Sequence, residues 1–156
     1  MIRKLLSIGL IITFVGCSQK AKVIDSSKKA TNYISIDSNN DLLNYFKETH
    51  KNNKVLKVAE WDVNGDDSKD LVIIYNISKD KNGMVIVLKT KAGFKISNEV
   101  SAPIYNQKIE FKDIDKKSPM EIIVSGSKNN KVGYAIFRLE DMKLKDLFGD
   151  GMKDCC

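Results

Sequence analysis

Two stretches of this chain place chemically useful side chains at regular spacing. The first is Asp62-Val63-Asn64-Gly65-Asp66-Asp67-Ser68-Lys69-Asp70. Oxygen donors fall on every second residue: the side chains of Asp62, Asn64, Asp66 and Asp70, and the backbone carbonyl of Ser68. Alternate positions of a tightly turning loop face one centre, and a hard cation such as Ca²⁺ needs several oxygens there. One calcium ion is therefore expected. The competing reading is an Asx-rich turn whose side chains cap their own backbone. The second stretch is Cys155-Cys156. Sequence neighbours lie about 3.8 Å apart at Cα, below the usual disulfide range, so a ring between them is strained and readily reduced. Two soft thiols on one short tail suit a thiophilic cation instead, such as Hg²⁺, Cu⁺ or an organometal cation.

The elements that position these residues read as mainly β. Leu71 to Tyr75 is a short apolar, β-branched and aromatic run, the pattern of a buried strand. Around it Val55–Trp61, Leu71–Asn76, Gly83–Lys89 and Gly93–Ser97 form one quartet of strand-like runs, separated by Asn, Asp, Gly and Lys. Ile109–Phe111, Glu121–Ser125, Val132–Leu139 and Met142–Leu147 form a second. Ahead of them, Ser38-Asn39-Asn40-Asp41 offers helix caps, and Leu42, Leu43, Tyr45 and Phe46 make an apolar stripe. A short α-helix ending near His50 is expected to lie on the strands as a lid.

The quartets also match in detail. Asp62-Val63-Asn64 followed by Asp70-Leu71-Val72-Ile73 aligns without gaps on Asp113-Ile114-Asp115 followed by Glu121-Ile122-Ile123-Val124, at an offset of 51 residues. A period of about 50 with four strands per unit has the rhythm of propeller blades. If the second unit is a degenerate copy, Ile114, Ile122 and Val124 should be buried as Val63, Leu71 and Ile73 are. Lys116 and Lys117 replace the glycine and the central aspartate, so the second loop is expected to be metal-free. Two units cannot close a ring, and a small meander or sandwich is expected. The motif Asp62-x-Asn64-Gly65-Asp66-x-x-x-Asp70-Leu71 resembles the repeats called FG-GAP or VCBS, found in integrin-type propellers and many secreted proteins. That resemblance covers Val55–Ser97 well and Lys108–Leu147 weakly, and implies Ca²⁺ in the loop between the first two strands of a unit. Asp67 stands where those repeats usually carry glycine in a left-handed conformation, which Asp tolerates better than most residues.

At the other end of the chain, Arg3 and Lys4 precede an apolar run from Leu5 to Val15, closed by Gly16-Cys17. Charge and length are those of a signal peptide, too short for a relaxed transmembrane helix. Val15-Gly16-Cys17 resembles the bacterial lipoprotein box, with Phe14 where leucine is usual. The resemblance implies cleavage before Cys17 and lipidation there, and hence an anchor on the extracytoplasmic face of the membrane. Residues 17–35 are polar and aperiodic, a flexible tether, and 36–154 is one domain's length. Removing residues 1–16 takes away two of 26 basic residues and none of the 20 acidic ones, leaving a net charge of +4. Basic and acidic residues interleave with no Lys/Arg stripe, which argues against nucleic acid.

Enzyme chemistry is not expected. The single histidine, His50, ends the short helix, and no Ser-His-Asp order, His-rich metal site or nucleotide-binding glycine loop occurs. A thiol oxidoreductase would place Cys-x-x-Cys at a helix start. Just before the dithiol, Asp146-Leu147-Phe148-Gly149-Asp150-Gly151-Met152-Lys153-Asp154 copies the acidic frame of the first loop, with Phe148 where a ligand should be. It reads as a Gly-rich acidic turn presenting the thiols. Lipoprotein signal, FG-GAP-like unit and terminal Gly-Asp-Gly-Met-Lys-Asp-Cys-Cys together resemble the Cys-Cys-COOH (seleno)protein SaoC family. The resemblance implies a component of a bacterial selenocysteine-assisted organometal transport system for mercury compounds. In some relatives one thiol position is selenocysteine; here both are Cys. The implied partners are a membrane permease or ABC transporter components. The rival class is a calcium-stabilised surface adhesion or scaffold module in which the Cys pair is incidental.

Overall fold

The computed structural model describes Asp37 and residues 39–150. Cys17, the expected signal peptide and tether, and Cys155-Cys156 lie outside the described residues. The described chain is mainly β, with one short helix and two open antiparallel sheets. Helix α1 spans Asp41–Thr49. Asn40 caps it, its side-chain oxygen accepting the Leu43 N–H at 3.0 Å, and so satisfies one of the orphan donors of the first turn. Leu42, Leu43 and Phe46 are the buried stripe.

Sheet A holds β1 (Val55–Trp61), β2 (Asp70–Ser78), β3 (Lys81–Thr90), β4 (Gly93–Ile96) and β5 (Val100–Ala102). Strands β4 and β5 share one edge of β3, pairing with its second and first halves respectively. Sheet B is a four-stranded meander of β6 (Tyr105–Lys112), β7 (Glu121–Lys128), β8 (Lys131–Glu140) and β9 (Lys143–Asp150). The first quartet is thus a sheet of five strands, because Val100–Ala102 adds to the β3 edge that Gly93–Ile96 leaves uncovered. Asn82 pins the crossover between sheets, donating to the Pro103 carbonyl at 2.8 Å. The segment read as an acidic turn from Asp146 is strand β9 as far as Asp150. The ten residues of β8 supply Tyr134, Ala135 and Ile136 as ladder partners, and Phe148 lies against Tyr134 with ring centroids 5.7 Å apart. Pairing and aromatic contact outweigh the turn tendency of Gly149-Asp150.

The layers run α1, sheet A, sheet B. Alternation along a strand sends successive side chains to opposite faces, and each face of sheet A has its own cover. Leu71, Ile73, Tyr75, Val85 and Val87 face the helix, where Phe46 and Tyr75 meet at 5.0 Å. His50 stacks on Phe46 at 4.4 Å, so the lone histidine is packed against the aromatic cluster. Val63, Val72, Ile74, Met84, Ile86 and Leu88 face sheet B and meet Ile122, Val124, Ala135 and Phe137.

The burial expected of the 51-residue offset holds at two of its three positions and fails at Ile114. Leu71 and Ile73 are fully buried under α1; their counterparts Ile122 and Val124 are fully buried under sheet A. Val63 is fully buried between the sheets, whereas its counterpart Ile114 is 47% exposed. The difference follows from stacking order. Val63 points to the face that sheet B covers, and no described residues form a further sheet on the corresponding face of sheet B.

Candidate metal centre

Both Asp-bearing loops sit between the first two strands of their sheets, and they lie side by side. Trp61 and Phe111 stack at 5.5 Å and 16°. Ser118 Oγ lies 3.2 Å from where a Cβ on Gly65 would stand. An open cleft of about 260 Å³ between the loops is lined by Trp61, Asp62, Gly65, Asp113, Lys116 and Lys117 among others.

In the first loop the acidic side chains gather backbone N–H groups. Asp62 Oδ1 accepts from Gly65 and Asp66 at 2.7 and 3.1 Å, and its Oδ2 from Asp67 at 2.9 Å. Asn64 Oδ1 accepts from the Asp66 N–H, Asn64 Nδ2 donates to Asp66 Oδ2, and Asp66 Oδ1 accepts from the Ser68 N–H. These contacts with Asn64 and Ser68 hold the Asp66 carboxyl below its ordinary value. Gly65 and Asp67 take left-handed backbone, φ 76° and 63°; the Asp67 departure from glycine therefore keeps the conformation that glycine would supply.

Asp70 differs from the other ligand candidates because it is fully buried. It opens β2 and reaches back across the loop, accepting the Val63 N–H at 3.2 Å and, from β3, the Lys89 N–H at 3.4 Å. No ammonium or guanidinium among the described residues pairs with it; the nearby Lys69 pairs with Glu60 at 2.8 Å. Burial pushes its carboxyl up to about 6, with the backbone N–H groups opposing and the Asp66 and Asp62 charges adding to the rise.

The second loop repeats this scaffold atom for atom at three places. Glu121 Oε2 accepts the Ile114 N–H at 2.8 Å, as Asp70 accepts from Val63. Asp115 Oδ1 accepts the Lys117 N–H at 3.0 Å, as Asn64 accepts from Asp66. Lys116 takes φ 60° where Gly65 has 76°. The acids converge more tightly than in the first loop: carboxylate oxygens of Asp113, Asp115 and Glu121 lie within 4.8 Å of one another. The sequence pattern expects no metal here on account of Lys116 and Lys117. Both are exposed, and a cation absent from that expectation lies among the acids: Arg138, from β8. Its Nη2 reaches Asp115 Oδ2 at 2.8 Å and Glu121 Oε1. Glu121 is 1% exposed and Arg138 9%. The guanidinium holds the Asp115 carboxyl below its ordinary value, chiefly through that close contact.

Register explains why only one loop has such a partner. Glu121 and Arg138 stand one step beyond the Ile122↔Phe137 pair of β7 and β8. In sheet A the same step beyond Leu71↔Val87 places Leu88 across from Asp70. Leu88 is 1% exposed and belongs to the core between the sheets.

The oxygen-only donor set of the first loop fits a hard cation. Each Asp70 oxygen accepts one N–H and keeps lone-pair capacity, as does Asp62 Oδ2. The Asn64 amide faces Asp66 Oδ2 and would have to turn for both to act as ligands. Comparison with family models, curated proteins and solved structures gives no match for this chain.

Proposed function

We propose that the chain is a non-enzymatic, membrane-anchored extracytoplasmic binding module. Its first loop takes one Ca²⁺ through Asp62, Asn64, Asp66, Asp70 and the Ser68 carbonyl. Its Cys155-Cys156 pair takes a thiophilic metal or organometal cation for delivery to a membrane permease or ABC transporter. The two sheets serve as FG-GAP-like, blade-like units that hold the loops at one edge. The observation that carries the calcium reading is the contrast between two equivalent buried carboxylates. Glu121 has Arg138 beside it; Asp70 has no cation beside it among the described residues. A buried carboxylate without a counter-charge is costly, and an ion bound at Asp70 removes that cost.

The carrier reading rests on the chemistry of the adjacent thiols. Soft thiolates prefer soft cations, and two on one tail raise the effective concentration of the second once the first has bound. The linear S–Hg–S geometry is awkward for sequence neighbours, which favours capture and hand-over by thiol exchange over tight storage. Lipid at Cys17 and the tether would keep the tail near its membrane partner.

Both halves are tested on the full chain. Calcium should raise the melting midpoint of the wild type relative to chelator, with an affinity of roughly 10⁻⁴ to 10⁻³ M, that of extracellular modules. Asp66→Ala should abolish the shift; an unshifted wild type refutes the site. Replacing Cys155 and Cys156 singly by Ser should each remove most Hg²⁺ binding. A double Ser variant that binds Hg²⁺ like wild type refutes the carrier, and the calcium-stabilised adhesion or scaffold module takes its place.

A further inference from the structure

We infer that Arg138 is the resident cation of the second loop: its guanidinium occupies the place that a hard divalent ion would take among Asp113, Asp115 and Glu121. The inference rests on the proposed calcium site only for the comparison between loops. Three observations carry it. The acids of the second loop meet the spacing for one ion, with oxygens within 4.8 Å of each other. The loop keeps the backbone scaffold of the first, including the carboxylate that opens the second strand and accepts an N–H from seven residues back. The group facing those acids is a charge from a neighbouring strand, bridging Asp115 and Glu121 through one nitrogen, Nη2.

The guanidinium is not set in a full hydrogen-bonded fork. Buried Arg138 Nε and Nη2, like Glu121 Oε1, make no hydrogen bond of regular geometry among the described residues, whereas an arginine placed for bidentate recognition would use its parallel N–H groups. Charge holds it in place, as charge would hold an ion. Other cationic groups near the acids do not substitute for it. Lys116 and Lys117 are exposed, so water screens their ammoniums. One loop of the pair therefore has an ion built into the chain, which leaves the first loop as the calcium-responsive member of the pair.

The consequence is a latent metal site, of the class that takes hard, oxygen-seeking divalent cations, revealed by removing the arginine. The test uses the full chain carrying Asp66→Ala, which silences the first loop, so that the two sites are read separately. Arg138→Leu is then added, giving sheet B the residue that stands at the corresponding place in sheet A. The double variant should melt well below Asp66→Ala in chelator. At calcium about a hundredfold above its dissociation constant the midpoint should recover by roughly 10 °C. Tb³⁺ should give luminescence sensitised by Trp61, which borders the cleft between the loops. Adding Glu121→Gln, which removes the buried charge, should restore the midpoint in chelator and abolish the calcium response. A double variant that melts at the same temperature in calcium and in chelator, or stays unfolded in about 10 mM calcium, well above extracellular-module affinities, overturns the inference. Loss of the calcium shift in wild type would instead count against the first loop and leave this result standing.

Discussion

Asp70 gives the sharpest test of the calcium reading, because its burial makes opposite demands at low and neutral pH. Without metal, the folded chain holds the Asp70 proton up to about pH 6, whereas an unfolded aspartate releases it near about 3.9. Between those values the native state binds more protons than the unfolded state, so stability falls as pH rises through the window and stays low above it. Two units at about 1.4 kcal/mol each give a loss of about 3 kcal/mol. For a domain of this size that is a fall of roughly 10 °C in midpoint. Asp70→Asn keeps an acceptor oxygen for the Val63 N–H and carries no charge at any pH. Asp66, Asp115 and Glu140, whose carboxyls are lowered, act in the opposite sense; Asp115 and Glu140 act equally in both proteins, and relief of Asp66 from the Asp70 charge in the variant widens the same difference. Thermal melts of wild type and Asp70→Asn in chelator from pH 4 to 7 should therefore diverge, with the variant gaining on wild type as pH rises. Saturating calcium at pH 7 should close or reverse the gap, because the ion supplies the counter-charge and only the wild type binds it. Parallel profiles in chelator, or a calcium gain as large for Asp70→Asn as for wild type, would refute the reasoning.

Two further outcomes check the scaffold that carries the loops. Phe46 is fully buried and touches both His50 and Tyr75, so Phe46→Ala should cost about 3–5 kcal/mol; a loss below about 1 kcal/mol by urea denaturation would show that α1 is not seated on sheet A. At Gly126 an added Cβ would stand 2.3 Å from Pro103 Cβ and 2.6 Å from the Tyr105 carbonyl oxygen, so Gly126→Ala should destabilise by about 1–3 kcal/mol through overpacking, and a variant melting like wild type would place the crossover elsewhere.

Strand β1 has the bounds of the strand-like run Val55–Trp61, and α1 lies where Asn40 and its apolar stripe put it. Other elements were only partly legible. Only Ile109–Phe111 stands out in β6, because its other residues, including Gln107, Lys108 and Lys112, form a half-solvated strand whose extent is fixed by pairing with β7. Val100–Ala102 is too short to carry a period, and its pairing partner lies on β3, outside its local sequence. Ile114 shows a second limit: its chemistry matches that of Val63, but its exposure depends on which layer covers it. Arg138 was missed because it sits inside the apolar run Val132–Leu139 as one charged residue. The available signal was its cross-strand relation to Glu121, which emerges only when the register of β7 and β8 is written out.

That relation also explains why the two loops diverge. The place opposite the carboxylate that opens the second strand lies, in each unit, on the face turned towards sheet B's outer side. In sheet A this face packs on sheet B, and Leu88 there touches the shared core. An arginine at that place would carry its charge into the inter-sheet contact, at the cost of burying an ion among apolar neighbours. In sheet B the same face has no sheet over it among the described residues: Tyr134 and Phe148 are 38% and 53% exposed. Arg138 can lay its stem along that surface and bring its charged end to Asp115 and Glu121. The first loop, denied a cation of its own by the stack, is the one to which the proposed calcium reading assigns an ion from solution. Leu88→Arg is the corresponding converse change. If stacking order sets the choice, it should disrupt the inter-sheet core and lower the midpoint even in chelator, where a free guanidinium beside Asp70 would otherwise be expected to raise it.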